Sequence, residues 1–183
     1  MNYISSVIIF ILVSALMKYL MDSSKKQPTI KEDGLVVLKM NKAYGIIGYI
    51  GIVFSALIGI IASQGTVKSV KDLFIVLALV LFFMLLSVPL VLVSKKMKVE
   101  VDEEKVKYYG VTGKTREIFW KEIKEVKFSK TMLELALNTD KTRIKLHMHL
   151  VGFPQFVNTM KAKVEYSLYR DAISEIETIN GRF

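Results

Sequence analysis

Three long apolar stretches fill most of the first half of this 183-residue chain. Asn2–Met17 carries no charge and continues through Lys18, Tyr19 and Leu20 to Met21. Ala43–Val67 is uncharged for 25 residues and Leu73–Ser94 for 22. A helix rises 1.5 Å per residue, so about 20 apolar residues span the roughly 30 Å hydrocarbon layer of a bilayer. The stretches therefore predict three membrane helices, at residues 1–21, 44–63 and 73–94. A 22–43 loop and a short 64–72 loop connect them, and a separate domain occupies 97–183.

The first stretch competes with a cleaved signal peptide. Met1-Asn2-Tyr3-Ile4 offers no basic n-region, and no small-x-small site precedes Asp22, so an uncleaved anchor is expected. Lys18, near its end, can snorkel to the headgroups. Neither the second nor the third stretch holds an Asp, Glu, Lys, Arg or His in its interior, which weighs against a proton relay or ion path. Lysines set the orientation. The 22–42 loop carries Lys25, Lys26, Lys31, Lys39 and Lys42; the 64–72 connection has only Lys68 and Lys71; and Lys95, Lys96 and Lys98 follow the third span. The positive-inside rule then predicts a multi-pass cell-membrane protein with its N-terminus outside and its C-terminal domain in the cytoplasm.

Within the second span, Gly48, Gly51, Ser55 and Gly59 fall on one helix face. Small residues at that spacing let helices approach closely, either within this chain or in a homo-oligomer or partner. Pro89 is expected to kink the third span.

Charge and composition narrow the function. The formal net charge is +9, with 8 Lys+Arg against 4 Asp+Glu before residue 95 and 18 against 13 after it. The excess is spread out, without a dense basic-aromatic run, so nucleic acid is not an expected partner. The absence of cysteine removes disulfides, thiolate nucleophiles and Cys-based zinc sites. Abundant lysine and isoleucine with three prolines fit a bacterium of low GC content.

From Met97 the pattern becomes period-2 alternation, as in Lys98-Val99-Glu100-Val101. Strands are expected from there and at 105–111, 115–120, 124–130, 133–139 and 141–150, joined by turns at Asp102–Glu104, Gly113-Lys114 and Asn138–Lys141: an antiparallel meander of six strands. After Gly152-Phe153-Pro154, apolar residues from Phe156 through Met160, Val164 and Leu168 to Ile179 recur at helical spacing. They predict one amphipathic helix, or two with a break near Ser167.

Val106–Gly110, Glu117–Ile123 and Val126–Phe128, in this order and with this closing helix, resemble the bacterial pleckstrin-homology-like (PH-like) domains attached to two or three membrane helices. The resemblance covers about residues 97–180. It implies an α+β fold beyond the membrane helices, a meander or partly open barrel of six to seven strands closed by the C-terminal helix. Strand-like Gly34–Met40 is a candidate seventh strand, since an open meander leaves edges that proteins usually cover. Eukaryotic relatives hold phosphoinositides with a basic first loop; the matching loop here, Asp102–Glu104, is acidic.

Chemical motifs are sparse. Gly110–Thr115 ends like a phosphate-binding loop, but the spacing is wrong and a strand follows, so it reads as a hairpin. His147 and His149 should share an exposed face beside Arg143 and Lys145, opposite Ile144, Leu146, Met148 and Leu150. Trp120, the only tryptophan, is expected in the core. No nucleophile constellation is evident, so an enzyme, a cofactor and a metal site are not expected. The expected function is non-catalytic: a PH-like domain presented to the cytoplasm for protein-partner binding or envelope-complex organisation. Alternatives are a reader of anionic lipid and an accessory subunit of a transporter. Lys114, Arg116, Arg143 and Lys145 are the candidate lipid or partner contacts.

Overall fold

A computed structural model describes residues 3–32 and 34–180. The chain forms two compact units, Met1–Asn41 with Lys98–Phe183, and Lys42–Met97.

Taking the 42–97 unit first, it is a hairpin of α2 (Lys42–Ile61) and α3 (Val70–Lys96), joined through a wide turn at Ala62–Thr66. The first α-helix, α1 (Tyr3–Ser24), belongs to the other unit. Ser69 starts α3 with a capping box: its hydroxyl accepts from the Asp72 N–H and the Asp72 carboxylate accepts from the Ser69 N–H. α3 runs on through Pro89. Contacts between the two helices run in opposite directions. Gly45 meets Ser94, Gly48 meets Ser87 and Val91, and the Ser55 hydroxyl donates to the Val80 carbonyl at 3.1 Å. Their outward faces are apolar and exposed, with Ile50 at 64%, Phe74 at 67% and Leu85 at 73%. Among the described residues these two helices are long and apolar enough to cross a membrane.

The other unit begins with α1 (Tyr3–Ser24) and carries two antiparallel sheets. The first contains β1 (Thr29–Ile30), β2 (Val36–Met40), β3 (Lys98–Val101), β4 (Lys105–Tyr109) and β5 (Thr115–Phe119) in that order. The second contains β6 (Glu125–Ser129), β7 (Glu134–Asn138) and β8 (Arg143–His147). A short β9 (Leu150–Val151) returns to pair with β2. The expected single meander is thus divided. A 3-10 turn at Trp120–Glu122 follows β5, held by the Trp120 N–H on the Glu104 carbonyl and the Trp120 indole N–H on the Asp102 carbonyl at 3.1 Å. That turn redirects the chain into a new sheet. No closed barrel forms among the described residues.

Segment 34–40 contributes β2, which lies inside the first sheet rather than as an outer strand: Leu38 opposes Val99, and β1 and β9 lie on its other side. The helical stretch is two helices, α4 (Phe153–Lys163) and α5 (Tyr166–Asn180). The break falls at Val164–Glu165, earlier than Ser167. Buried Val164 takes an extended backbone (φ −115°), and α5 restarts with the Leu168 N–H on the Glu165 carbonyl. The core joins Leu38, Val99, Val106 and Ile118 of the first sheet to Leu135, Leu137, Ile144 and Leu146 of the second. Phe156 and Met160 of α4 and Ile173, Ile176 and Ile179 of α5 complete it.

α1 runs past the expected end at residue 21. Its last turn buries Leu20, Met21, Ser23 and Ser24 in the domain, and the Gly152 N–H donates to the Ser24 carbonyl at 3.0 Å. Gly152 has φ +88°, and a Cβ there would lie 2.5 Å from the Pro28 Cβ, so only glycine fits the junction.

Candidate functional site

The strand register gathers charged side chains at one end of the first sheet. Lys39 opposes Lys98, Lys98 opposes Tyr109, and Tyr109 opposes Thr115. This row closes with the hairpin 110–114, where the Gly110 N–H donates to the Lys114 carbonyl at 2.9 Å. It is also the end at which β2 passes to α2 after Asn41 and α3 passes to β3 after Met97. The acidic turn Asp102–Glu104 lies at the opposite end.

On the outer face beside this row, the Lys98 ammonium sits 4.1 Å from the centre of the Tyr109 ring and 3.1 Å from a Glu100 oxygen. The Tyr109 hydroxyl donates to the other Glu100 oxygen at 2.7 Å, and Lys31 approaches the carboxylate at 3.4 Å. Burial works to raise the Glu100 pKa. The hydrogen bonds from Tyr109 and Lys98, the Lys98 charge and the Lys31 contact outweigh it and hold the group below its ordinary value. Tyr109 moves up, chiefly because its proton is held on Glu100. Among the described residues Lys39 and Lys114 are exposed and form no ion pair.

The four expected contact residues are all exposed. Arg116 reaches from the first sheet to the second, donating to the Arg143 carbonyl at 2.9 Å. Lys145 is matched by Glu134 across β7–β8 at 3.0 Å. Lys114 closes the hairpin just before β5, its carbonyl accepting from the Gly110 N–H. Sequence reasoning missed Lys39, Lys98 and Tyr109 as a group, because cross-strand register joins them and no local spacing does.

A second feature is a groove of about 520 Å³ between β6 and α5, lined by Lys124–Phe128 on the strand side and by Ser167, Leu168, Asp171, Ala172 and Glu175 on the helix side. β6 is an edge strand of its sheet. Lys130 and Glu175 approach to 3.6 Å near the groove.

The histidine pair departs from expectation. His149 is buried, 2% exposed, and the two ring centres lie 4.7 Å apart. β8 stops at His147 and the Met148 N–H turns onto the Leu133 carbonyl, so strand alternation does not carry to residue 149. Burial pushes the His149 pKa down to about 4, with His147 adding to it, and burial also lowers His147 against the pull of Glu134. No group of three or more metal-ligating side chains occurs among the described residues. Trp120 is buried against Phe156, with ring centres 6.1 Å apart.

The small-residue face of α2 meets α3 of the same chain at three of its four positions. A Cβ at Gly48 would lie 2.6 Å from Val91 Cγ2 and 2.8 Å from the Ser87 carbonyl oxygen, one at Gly51 would overlap the Ser87 hydroxyl, and Ser55 is buried; Gly59 has nothing within 4 Å. Compared with protein-family models, curated proteins and solved structures, the chain matches none.

Proposed function

We propose that this chain is a non-catalytic, three-pass membrane protein with its N-terminus outside, presenting a PH-like α+β domain to the cytoplasm, where it binds a protein partner. The exposed apolar faces of α2 and α3 support the membrane reading, since surface of that extent is unfavourable in water. α1 adds a third helix of 22 residues with an apolar sequence. Lysines on both sides of the 42–97 segment favour the cytoplasmic assignment.

The observation that carries partner binding is the groove beside the β6 edge. An edge strand leaves backbone N–H and C=O groups unpaired, and an extended peptide gains affinity by adding a strand there. The lining of Lys124, Glu125, Lys127, Asp171 and Glu175 suits a segment carrying both charge signs. The test is photocrosslinking in native membranes from Ser167 in the groove and from Lys105 on the far sheet face. The expected result is a discrete adduct from Ser167 alone, lost when Asp171→Trp fills the groove. Equal adducts from both positions, or an adduct indifferent to Asp171→Trp, would refute the groove as the partner site.

A further inference from the structure

We propose that the Lys39–Lys98–Tyr109 row and the 110–114 hairpin form a contact face for anionic phospholipid headgroups, which holds the domain against the membrane surface; this rests on the spanning assignment of α2 and α3. Covalent reach carries the argument. Lys39 lies three residues before the first residue of α2, and Lys98 lies two residues after the last residue of α3. At no more than about 3.6 Å per residue, their backbones lie within roughly 11 Å and 7 Å of those helix ends. The headgroup region on each side of a bilayer is about 5–8 Å deep, so both lysines fall in or beside it.

The sheet register extends that placement to residues far along the chain. Tyr109 is on the strand next to Lys98 and Thr115 on the one after, with strands about 4.8 Å apart. The hairpin from Gly110 to Lys114 extends beyond this row at the sheet end where β2 finishes. It brings an exposed Lys114 and the half-buried Val111 to the same sheet end.

The chemistry there suits anionic lipid. Lys39 and Lys114 form no ion pair among the described residues, and Lys98 lies over an aromatic ring whose hydroxyl is already held by Glu100. Tyrosine with lysine at a membrane boundary is the usual composition of an interfacial contact. The acidic Asp102–Glu104 turn, which would be repelled by the same surface, is at the far end of the sheet. This face differs from the β6–α5 groove, so the contact would leave the groove open to a partner.

The test uses the full chain in nanodiscs of phosphatidylcholine alone and of phosphatidylcholine mixed with phosphatidylglycerol. Because the chain has no cysteine, single labels can be placed through Thr112→Cys at the hairpin, Glu104→Cys at the far sheet end and Val53→Cys on the exposed face of α2. Quenching by headgroup nitroxides is read for the first two labels and by acyl-chain nitroxides for the third. The expected result is stronger quenching at Thr112 than at Glu104, greater in the anionic discs and weakened by salt. Each of Lys39→Gln, Lys98→Gln and Lys114→Gln should lower the ratio of contacting to free hairpin by about fivefold at low salt. If the Val53 label is in the acyl region but Thr112 behaves alike in both lipids, or ignores the lysine substitutions, the lipid-contact proposal is overturned and the spanning assignment stands. If the Val53 label stays in water, the spanning assignment fails and the proposal fails with it.

Discussion

Replacing Gly48 by alanine tests how the α2–α3 hairpin is held. The added Cβ would sit 2.6 Å from Val91 Cγ2, 2.8 Å from the Ser87 carbonyl oxygen and 3.0 Å from the Val91 nitrogen. Val91 could rotate away, but the other two atoms are backbone. Since ordinary contact begins near 3.4 Å, the helices must separate by roughly half an ångström or more. A gap of 0.5–1 Å forfeits about a quarter to a half of the dispersion attraction at each atom pair affected. Overpacking of this kind costs about 1–3 kcal/mol. Alanine also favours the helix by up to about 1 kcal/mol over glycine, which would mask part of the loss. Gly59→Ala supplies the correction: it gives the same propensity gain with nothing within 4 Å of the new Cβ. The difference between the two variants should therefore be about 1–3 kcal/mol, with Gly48→Ala the less stable. The assay is reversible unfolding of the full chain in mixed micelles of mild detergent and dodecyl sulfate, followed by energy transfer between labels on α2 and α3. Equal midpoints for Gly48→Ala and Gly59→Ala would refute the close approach.

Three further outcomes follow from the domain. His149 is held neutral with its pKa near 4, below the ordinary value of about 6.5, so the unfolded chain binds more protons between those limits. Stability is then full above about pH 6.5 and declines as pH falls toward 4, by on the order of 3 kcal/mol for a ring this buried; His149→Gln should flatten that part of a denaturant-midpoint-against-pH curve, and an unchanged slope would assign it to other groups. Gly152→Ala combines left-handed strain with a clash on Pro28 and should lower domain stability by about 1–3 kcal/mol in thermal melts; a wild-type melting temperature would contradict the junction described. Trp120→Phe leaves the Asp102 carbonyl without its indole donor and thins the packing on Phe156, for an expected loss of about 1–3 kcal/mol by chemical denaturation.

What could be read from the sequence was what depends on neighbours along the chain. Uncharged runs of more than twenty residues predict apolar helices wherever they sit, and α2 and α3 follow. Alternation at Lys98–Val101 places Val99 and Val101 in the core because a strand's side chains alternate regardless of partner. The periodicity from Phe156 to Ile179 gave helix and left open a break near Ser167, but did not fix its place at Val164–Glu165, because an extended Val164 still points an apolar side chain into the core and leaves the pattern intact. His149 shows the opposite failure: two residues of turn after β8 reset the alternation, and a side chain read as exposed became buried.

The candidate surfaces belong to tertiary structure. Lys39, Lys98 and the 110–114 hairpin are separated by the whole α2–α3 segment or by another strand, and only antiparallel register aligns them at one sheet end. The groove exists because the 3-10 turn at Trp120 splits the meander and leaves β6 as an edge beside α5. Composition and period determine which residues avoid water and in what local shape. Which strands become neighbours, and which edges stay open, depends on long-range pairing and packing that a local pattern does not encode.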